Sequence, residues 1–221
     1  MKTRPSTRWS RLAVSTLAVV LLGTGVSACA PLVVGAGVTT VLVATDRRTS
    51  GAMLEDKGIE LRAANRLRDQ IGERGRVSVT SYNRRVLLTG EVANEQDRLL
   101  AERTVAAVEN VSGVFNELAL LDVASLAQRS SDLLLTGRAK AALVEARDLF
   151  ANAFHVTTSR GTVYLMGRVT QREANRATEV LRNTQGVQRV VRMMEIISEE
   201  ELARLQPKPA GVPSPDTGRN P

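Results

Sequence analysis

From residue 54 onward the apolar positions first recur at three- and four-residue spacing and then switch to alternation. The same switch recurs roughly 76 residues later. Ile59, Ala63 and Leu67 share one face of a helix expected over about 54–72. The run Val77-Ser78-Val79-Thr80-Ser81-Tyr82 and the run Arg85-Val86-Leu87-Leu88-Thr89-Gly90 then alternate with period two. Asn83-Arg84 between them reads as a hairpin turn. A second helix is expected over about 94–109 and a third strand over about 113–121. The second round gives a helix at about 132–150, strands at Phe154–Thr158 and Thr162–Val169, a helix at about 171–185 and a strand at about 187–197. Ser159-Arg160-Gly161 marks its hairpin.

The two rounds match residue by residue. Leu135, Ala139 and Leu143 follow Ile59, Ala63 and Leu67 by 76, and Val163, Leu165, Gly167 and Val169 follow Val86, Leu88, Gly90 and Val92 by 77. Ala177, Val187 and Val190 follow Ala101, Val111 and Val114 by 76 again. A fixed period of this kind means two copies of one module. Each copy has the order αββαβ, in which two amphipathic helices cover one face of a small three-stranded sheet, an α+β fold. Gly90 and Gly167, inside strands, read as close backbone packing or a bulge.

The ends of the 221-residue chain behave differently. Lys2, Arg4, Arg8 and Arg11 precede an uncharged stretch, Leu12 to Ala28, which is the layout of a secretory signal over 1–28. It ends Val26-Ser27-Ala28-Cys29, which resembles a bacterial lipobox and implies a covalent lipid on Cys29, the only Cys in the chain. Ala28-Cys29-Ala30 also fits ordinary signal cleavage. Gly23, Gly25, Pro31, Gly35 and Gly37 argue against an uncleaved helix. Residues 29–45 form an apolar tether, 46–122 the first module, 123–131 a linker, 132–199 the second module, and 200–221 a tail expected to be disordered and rich in proline.

Val86-x-Leu88-x-Gly90-x-Val92, then Ala101, then Val111-x-x-Val114-x-Asn116-x-Leu118, resembles the BON domain. Val163-x-Leu165-x-Gly167-x-Val169, Ala177 and Gly186-Val187-x-x-Val190 resemble it a second time. Asn110 stands where the second copy has Gly186, a turn that Asn tolerates. Arg192 stands where the first copy has Asn116. A lipobox followed by two such domains is similar to the dual BON-domain outer-membrane lipoproteins. That resemblance implies an outer-membrane protein anchored on the periplasmic face, phospholipid binding, a part in membrane integrity and envelope stress resistance, and no catalysis. Ala30 after the Cys, in place of Asp, also favours the outer membrane.

Composition narrows the chemistry. One Cys and one His leave no multi-thiolate or multi-His metal site. His155 lacks a nucleophile and orienting partner in any recognisable pattern, and no G-x-S-x-G elbow or phosphate loop occurs. It reads as an edge-strand or turn histidine. No catalytic residue, metal or cofactor other than the lipid on Cys29 is expected.

The formal charge of +7 falls to +3 without residues 1–28, because four basic residues go with them. Residues 46–122 carry 12 basic and 13 acidic side chains, whereas 123–199 carry 11 and 7. The surplus belongs to the second module, which is therefore the one expected to meet an anionic surface.

On the helix at 132–150, Leu135, Ala139, Ala142, Leu143, Ala146, Leu149 and Phe150 form the expected core stripe. Leu133, Gly137, Lys140, Val144 and Arg147 lie opposite, with Leu134 and Arg138 adjoining. Leu133, Leu134, Arg138, Lys140, Val144 and Arg147 are the candidate lipid-binding residues. Apolar side chains flanked by cations suit shallow insertion beneath anionic headgroups. Asp132, Glu145 and Asp148 would compete. The equivalents Lys57, Ala64 and Arg68 lack the large apolar members. The same patch would also suit packing on the first module, or docking by an adaptor for outer-membrane protein assembly or envelope-stress machinery. A secretory signal and few aromatics argue against nucleic acid. Glu199-Glu200-Glu201 are expected in solvent.

Overall fold

The structure, a computed structural model, describes residues 46–205. The first module comprises α1 (Ser50–Ile71), β1 (Gly75–Tyr82), β2 (Arg85–Val92), α2 (Glu95–Ala106) and β3 (Gly113–Leu120). The second comprises α3 (Leu126–Glu145), β4 (Phe154–Ser159), β5 (Thr162–Val169), α4 (Gln171–Arg182), β6 (Arg189–Arg192) and β7 (Glu195–Ile196). A short α5 (Glu199–Leu205) follows. Each of the first four helices starts where a side-chain oxygen takes an orphan N–H. Thr49, Asn94, Ser125 and Thr170 accept from Ala52, Asp97, Gln128 and Glu173 respectively. At α4 the carboxylate of Glu173 returns the bond to Thr170, completing a capping box.

Both sheets share one topology. β1 pairs antiparallel with β2, and β2 pairs parallel with β3. β4 pairs antiparallel with β5, which pairs parallel with β6 and then β7. The parallel step requires a crossover, and α2 or α4 supplies it. The hairpin turns have positive φ at both central residues, 50° and 66° at Asn83-Arg84 and 48° and 72° at Arg160-Gly161. That is the twist a two-residue hairpin favours. Asn110 holds φ 66° where Gly186 holds 94°, so the turn survives the substitution. A Cβ on Gly90 would lie 2.0 Å from the Arg76 carbonyl oxygen, and one on Gly167 would lie 2.4 Å from that of Ala153. Both glycines therefore serve close backbone packing.

Each module has its own core beneath its helices. Ile59, Ala63 and Leu67 pack on Val86, Leu88 and Val92, closed by Ala101 and Val105. Leu135, Ala139 and Leu143 pack on Val163, Leu165 and Val169, closed by Ala177 and Leu181. The opposite faces of the two sheets meet each other. Tyr82 and Leu87 of the first sheet and Tyr164, Met166 and Met193 of the second form a third buried cluster, with Phe115 and Val191 at its rim.

Charged groups lock the border of this seam. Arg160 Nε donates to Glu91 at 2.8 Å, Asn83 Nδ2 to Glu195 at 2.7 Å, and Arg189 to Glu117 at 3.2 Å. Ahead of α1, Arg47 forks onto both carboxylate oxygens of Glu173 at 2.7 Å each and onto the Arg168 carbonyl. Arg48 bridges Asp46 and Asp56 and lies 4.1 Å above the Tyr82 ring. The lead-in to the first module is thereby fastened to the second.

Several expected boundaries move. α3 begins at Leu126 rather than 132, because Ser125-Leu-Ala-Gln128 is itself a cap, so most of the expected linker is helix. It ends at Glu145, where Ala146 turns out of helical conformation (ψ 87°). Phe150 consequently leaves the core stripe and is 54% exposed, while Leu149 stays buried. The last strand is interrupted at Met193-Met194. Residues 199–205 are helical with Leu202 buried, so the first residues assigned to the tail are ordered, and the remainder, 206–221, lies outside the described residues. Glu201 pairs with Arg168 at 2.6 Å instead of standing free in solvent.

Candidate functional site

α3 is held from beneath by one carboxylate. Asp132 Oδ2 accepts the Arg160 N–H at 2.8 Å, and Oδ1 accepts the Gly161 N–H at 2.9 Å. It is buried, and its counterpart Asp56 accepts the N–H groups of Asn83 and Arg84 in the same way. Asp132 is therefore an internal tie between helix and hairpin, not an acid competing on the outer face. Asp148 is likewise occupied, by Arg176 at 2.9 Å. Glu145 is the expected competitor that remains.

The outer face carries the predicted apolar residues in solvent. Leu133 is 73% exposed, Leu134 65% and Val144 68%. None of the three is covered by the first module. The earlier start of the helix adds Leu126, 71% exposed. At 100° per residue it falls within about 20° of Leu133, so the stripe gains two turns. The S-x-x-Q cap at 125–128 was the available signal for it.

The cations here are also unusual, although Arg147, expected on the helix, lies in the turn beyond its end at Glu145. The side chains of Arg129, Arg138, Lys140 and Arg147 reach no acceptor among the described residues. On α1 the pattern is opposite. Lys57 pairs with Glu60 and Arg62 with Glu55, each at 2.7 Å, and Arg66 donates to the Ala107 carbonyl at 2.7 Å. An unpaired surface cation keeps its full attraction for an external anion, whereas a paired one must first lose its partner.

Two adjoining grooves of about 410 and 420 Å³ run beside α3 along β4, and Lys140, His155 and Val156 line both. Asp46 lines the first with Val144 and Lys140. His155 lies on the edge strand of its sheet. Burial, reinforced by Lys140, holds its imidazole below the ordinary value, so it is neutral at pH 7. Among the described residues no group of three or more His, Cys, Asp or Glu side chains could hold a metal ion, and no helix is long and apolar enough to cross a membrane. Cys29 lies outside the described residues.

The sequence pattern of the BON domain matches residues 56–122 and 131–198. The chain is 35% identical over 182 residues to the outer membrane lipoprotein DolP of Haemophilus influenzae, covering 80% of this chain and 94% of that one. It is 30% identical over 154 residues to a 21 kDa hemolysin of Actinobacillus pleuropneumoniae, covering 69% and 79%. Among solved structures, CdsD, a structural protein of the Type III secretion system of Chlamydia trachomatis, overlaps 64% of this chain and 96% of its own at 16% identity and a TM-score of 0.28.

Proposed function

The chain belongs to the dual BON-domain outer-membrane lipoprotein family, and from that premise we propose that it binds anionic phospholipid through the outer face of α3. In this reading Cys29 carries the lipid anchor and the two modules project into the periplasm. Binding by α3 adds to the anchor and supports membrane integrity under envelope stress. No catalytic step, cofactor or nucleic acid has a part in it.

The observation that carries the reading is the set of exposed Leu126, Leu133, Leu134 and Val144 on α3 beside Arg138 and Lys140, with Arg147 in the turn that follows, the three cations having no ion-pair partner among the described residues. Asp46 adds to it. The chain leading back toward Cys29 leaves the modules beside Lys140 and Val144, in the groove that all three line. A protein anchored through that segment would present this side of α3 to the bilayer.

Each unpaired cation near an anionic surface contributes about 1 kcal/mol, so loss of three amounts to about 3 kcal/mol, roughly two orders of magnitude in affinity. The test is co-sedimentation of residues 30–221 with phosphatidylcholine vesicles, with and without phosphatidylglycerol. The triple variant R138E/K140E/R147E should lose its binding to the anionic vesicles. The variant K57E/R62E, which reverses paired cations on α1, should keep it. Equal behaviour of the two variants would overturn the assignment to α3.

A further inference from the structure

The second groove has an open strand edge as its floor. β4 pairs only with β5, and residues 155–159 line the groove in unbroken succession. Its walls are α3 on one side and Arg76, Ser78 and Glu91 of the first module on the other. Hairpin geometry fixes which backbone groups face it. Ser159 and Thr162 close the two-residue turn as a hydrogen-bonded pair, so the pairs Thr158–Val163, Val156–Leu165 and Phe154–Gly167 are of the non-hydrogen-bonded kind. The N–H and C=O groups of Val156 and Thr158 therefore point away from β5, toward the groove, while the Phe154 N–H, just beyond its lining, is already given to the Ala151 carbonyl.

The first module shows what closing such an edge looks like. Ser81 occupies the position of Thr158 in its hairpin. Its N–H donates to Glu60 Oε1 at 3.0 Å and its hydroxyl to Asp56 at 2.7 Å. In the second module Thr136 stands where Glu60 would be, and its hydroxyl turns back to the Asp132 carbonyl at 2.9 Å. Among the described residues the buried Thr158 hydroxyl has no partner, and neither has Nε of Arg129 in the groove wall. Arg76, Arg129 and Lys140 line the groove with no acceptor of their own among the described residues. The lining carboxylates are already engaged, Glu91 by Arg160 and the Ala124 N–H, Asp132 by the hairpin turn.

We propose that the free edge of β4 is a docking site for an extended acidic peptide segment, which adds to the second sheet as an extra strand. The outward backbone groups of Val156 and Thr158 supply the ladder, as in strand addition generally. Arg76, Arg129 and Lys140 select for acidic side chains on the segment. Six residues of strand span about 20 Å, the length of β4. The site's floor is separate from the outer face of α3, although Leu133 and Lys140 border both.

The probe is a fluorescent seven-residue peptide of alternating threonine and valine flanked by aspartates, added to residues 30–221. Anisotropy reports binding, and backbone hydrogen exchange reports where it occurs. Exchange should slow at Val156 and Thr158, and a peptide N-methylated at alternate amides should not bind. Thr136→Gln and Thr136→Glu each rebuild the acceptor that Glu60 provides in the first module and close the edge. Both should weaken the peptide by about tenfold or more, the worth of one backbone hydrogen bond and the space it needed. Phosphatidylglycerol vesicles should still bind the uncharged T136Q variant. The proposal is overturned if the peptide leaves the β4 amides unprotected at millimolar concentration or if the N-methylated peptide binds equally. It is also overturned if T136E alone weakens binding, which would mark charge without strand pairing. Loss of vesicle binding in T136Q would mean that the groove serves lipid instead.

Discussion

Asp132 provides the sharpest test of how α3 is positioned. Truncating it to Ala removes the acceptor for two hairpin N–H groups, those of Arg160 and Gly161, at 2.8 and 2.9 Å. Gly161 is buried, while Arg160 is half-buried at the mouth of the turn. A hydrogen bond to a charged group contributes about 1.5–3 kcal/mol, so two unmade bonds set an upper range of about 3–6 kcal/mol. Water can reach the Arg160 side of the turn, so the lower end, about 3 kcal/mol, is expected. D132N keeps one acceptor oxygen but sets its NH2 against the other hairpin N–H, so it should lose at least half as much. The counterpart D56A should cost at least as much as D132A, because Asp56 also accepts from the Ser81 hydroxyl and pairs with Arg48 at 2.8 Å. Urea unfolding followed by circular dichroism measures all three variants. A loss under about 1 kcal/mol for D132A would refute the view that this carboxylate ties helix to hairpin.

Three further outcomes follow from the geometry. Gly137 sits in α3 with nothing within 4 Å of an added Cβ, so G137A should stabilise the chain by about 1 kcal/mol in the same urea assay, whereas G90A should destabilise it severely. R47A leaves Glu173 as a buried carboxylate without its guanidinium and should cost about 3–5 kcal/mol, read as a lowered thermal midpoint. An unchanged midpoint would exclude the Arg47 lead-in as a structural tie between the modules. His155 is held below its ordinary value of 6.5 by burial, so the unfolded chain binds the proton more tightly than the folded one. Its contribution to stability is therefore complete above pH 6.5 and declines as pH falls toward the lower folded value. Urea midpoints between pH 7.5 and about 5, above the carboxylate range, should fall for the parent chain and fall less for H155Q.

The module order, both cores and both hairpins were legible because each rests on periodicity, and periodicity is a local property. The ends of α3 were not. Its core stripe starts at Leu135, and the preceding turns carry polar and exposed residues that only the Ser125 cap reveals. Phe150 continued the helical spacing on paper, but the chain leaves helical conformation at Ala146, before the stripe reaches it. The seam had a signal that simple alternation hides. Val163-Tyr164-Leu165-Met166 and Val86-Leu87-Leu88 are continuous apolar runs, the mark of strands buried on both faces. The role of Asp132 was illegible as a lone acid. It becomes legible only beside Asp56, which occupies the same place in the first module and holds the same turn.

Comparing the modules position by position shows where their surfaces part. The scaffold residues are kept: the tying aspartates, the helix stripe, the strand glycines. The acids that neutralise α1 are not. Glu55, which holds Arg62, is replaced by Ser131, and the equivalent Arg138 has no partner among the described residues. Glu60, which holds Lys57 and the Ser81 N–H, is replaced by Thr136, and the edge of β4 stands open. Lys57 and Arg68 become Leu133 and Val144, both exposed. Because the sheets are spent against each other at the seam, the helices and strand edges are what each module has left to offer. Two lost acids and two gained aliphatics thus turn the same helix from a self-neutralised cover into a surface with free charge on one side and a free strand edge on the other. The core beneath it needs no change.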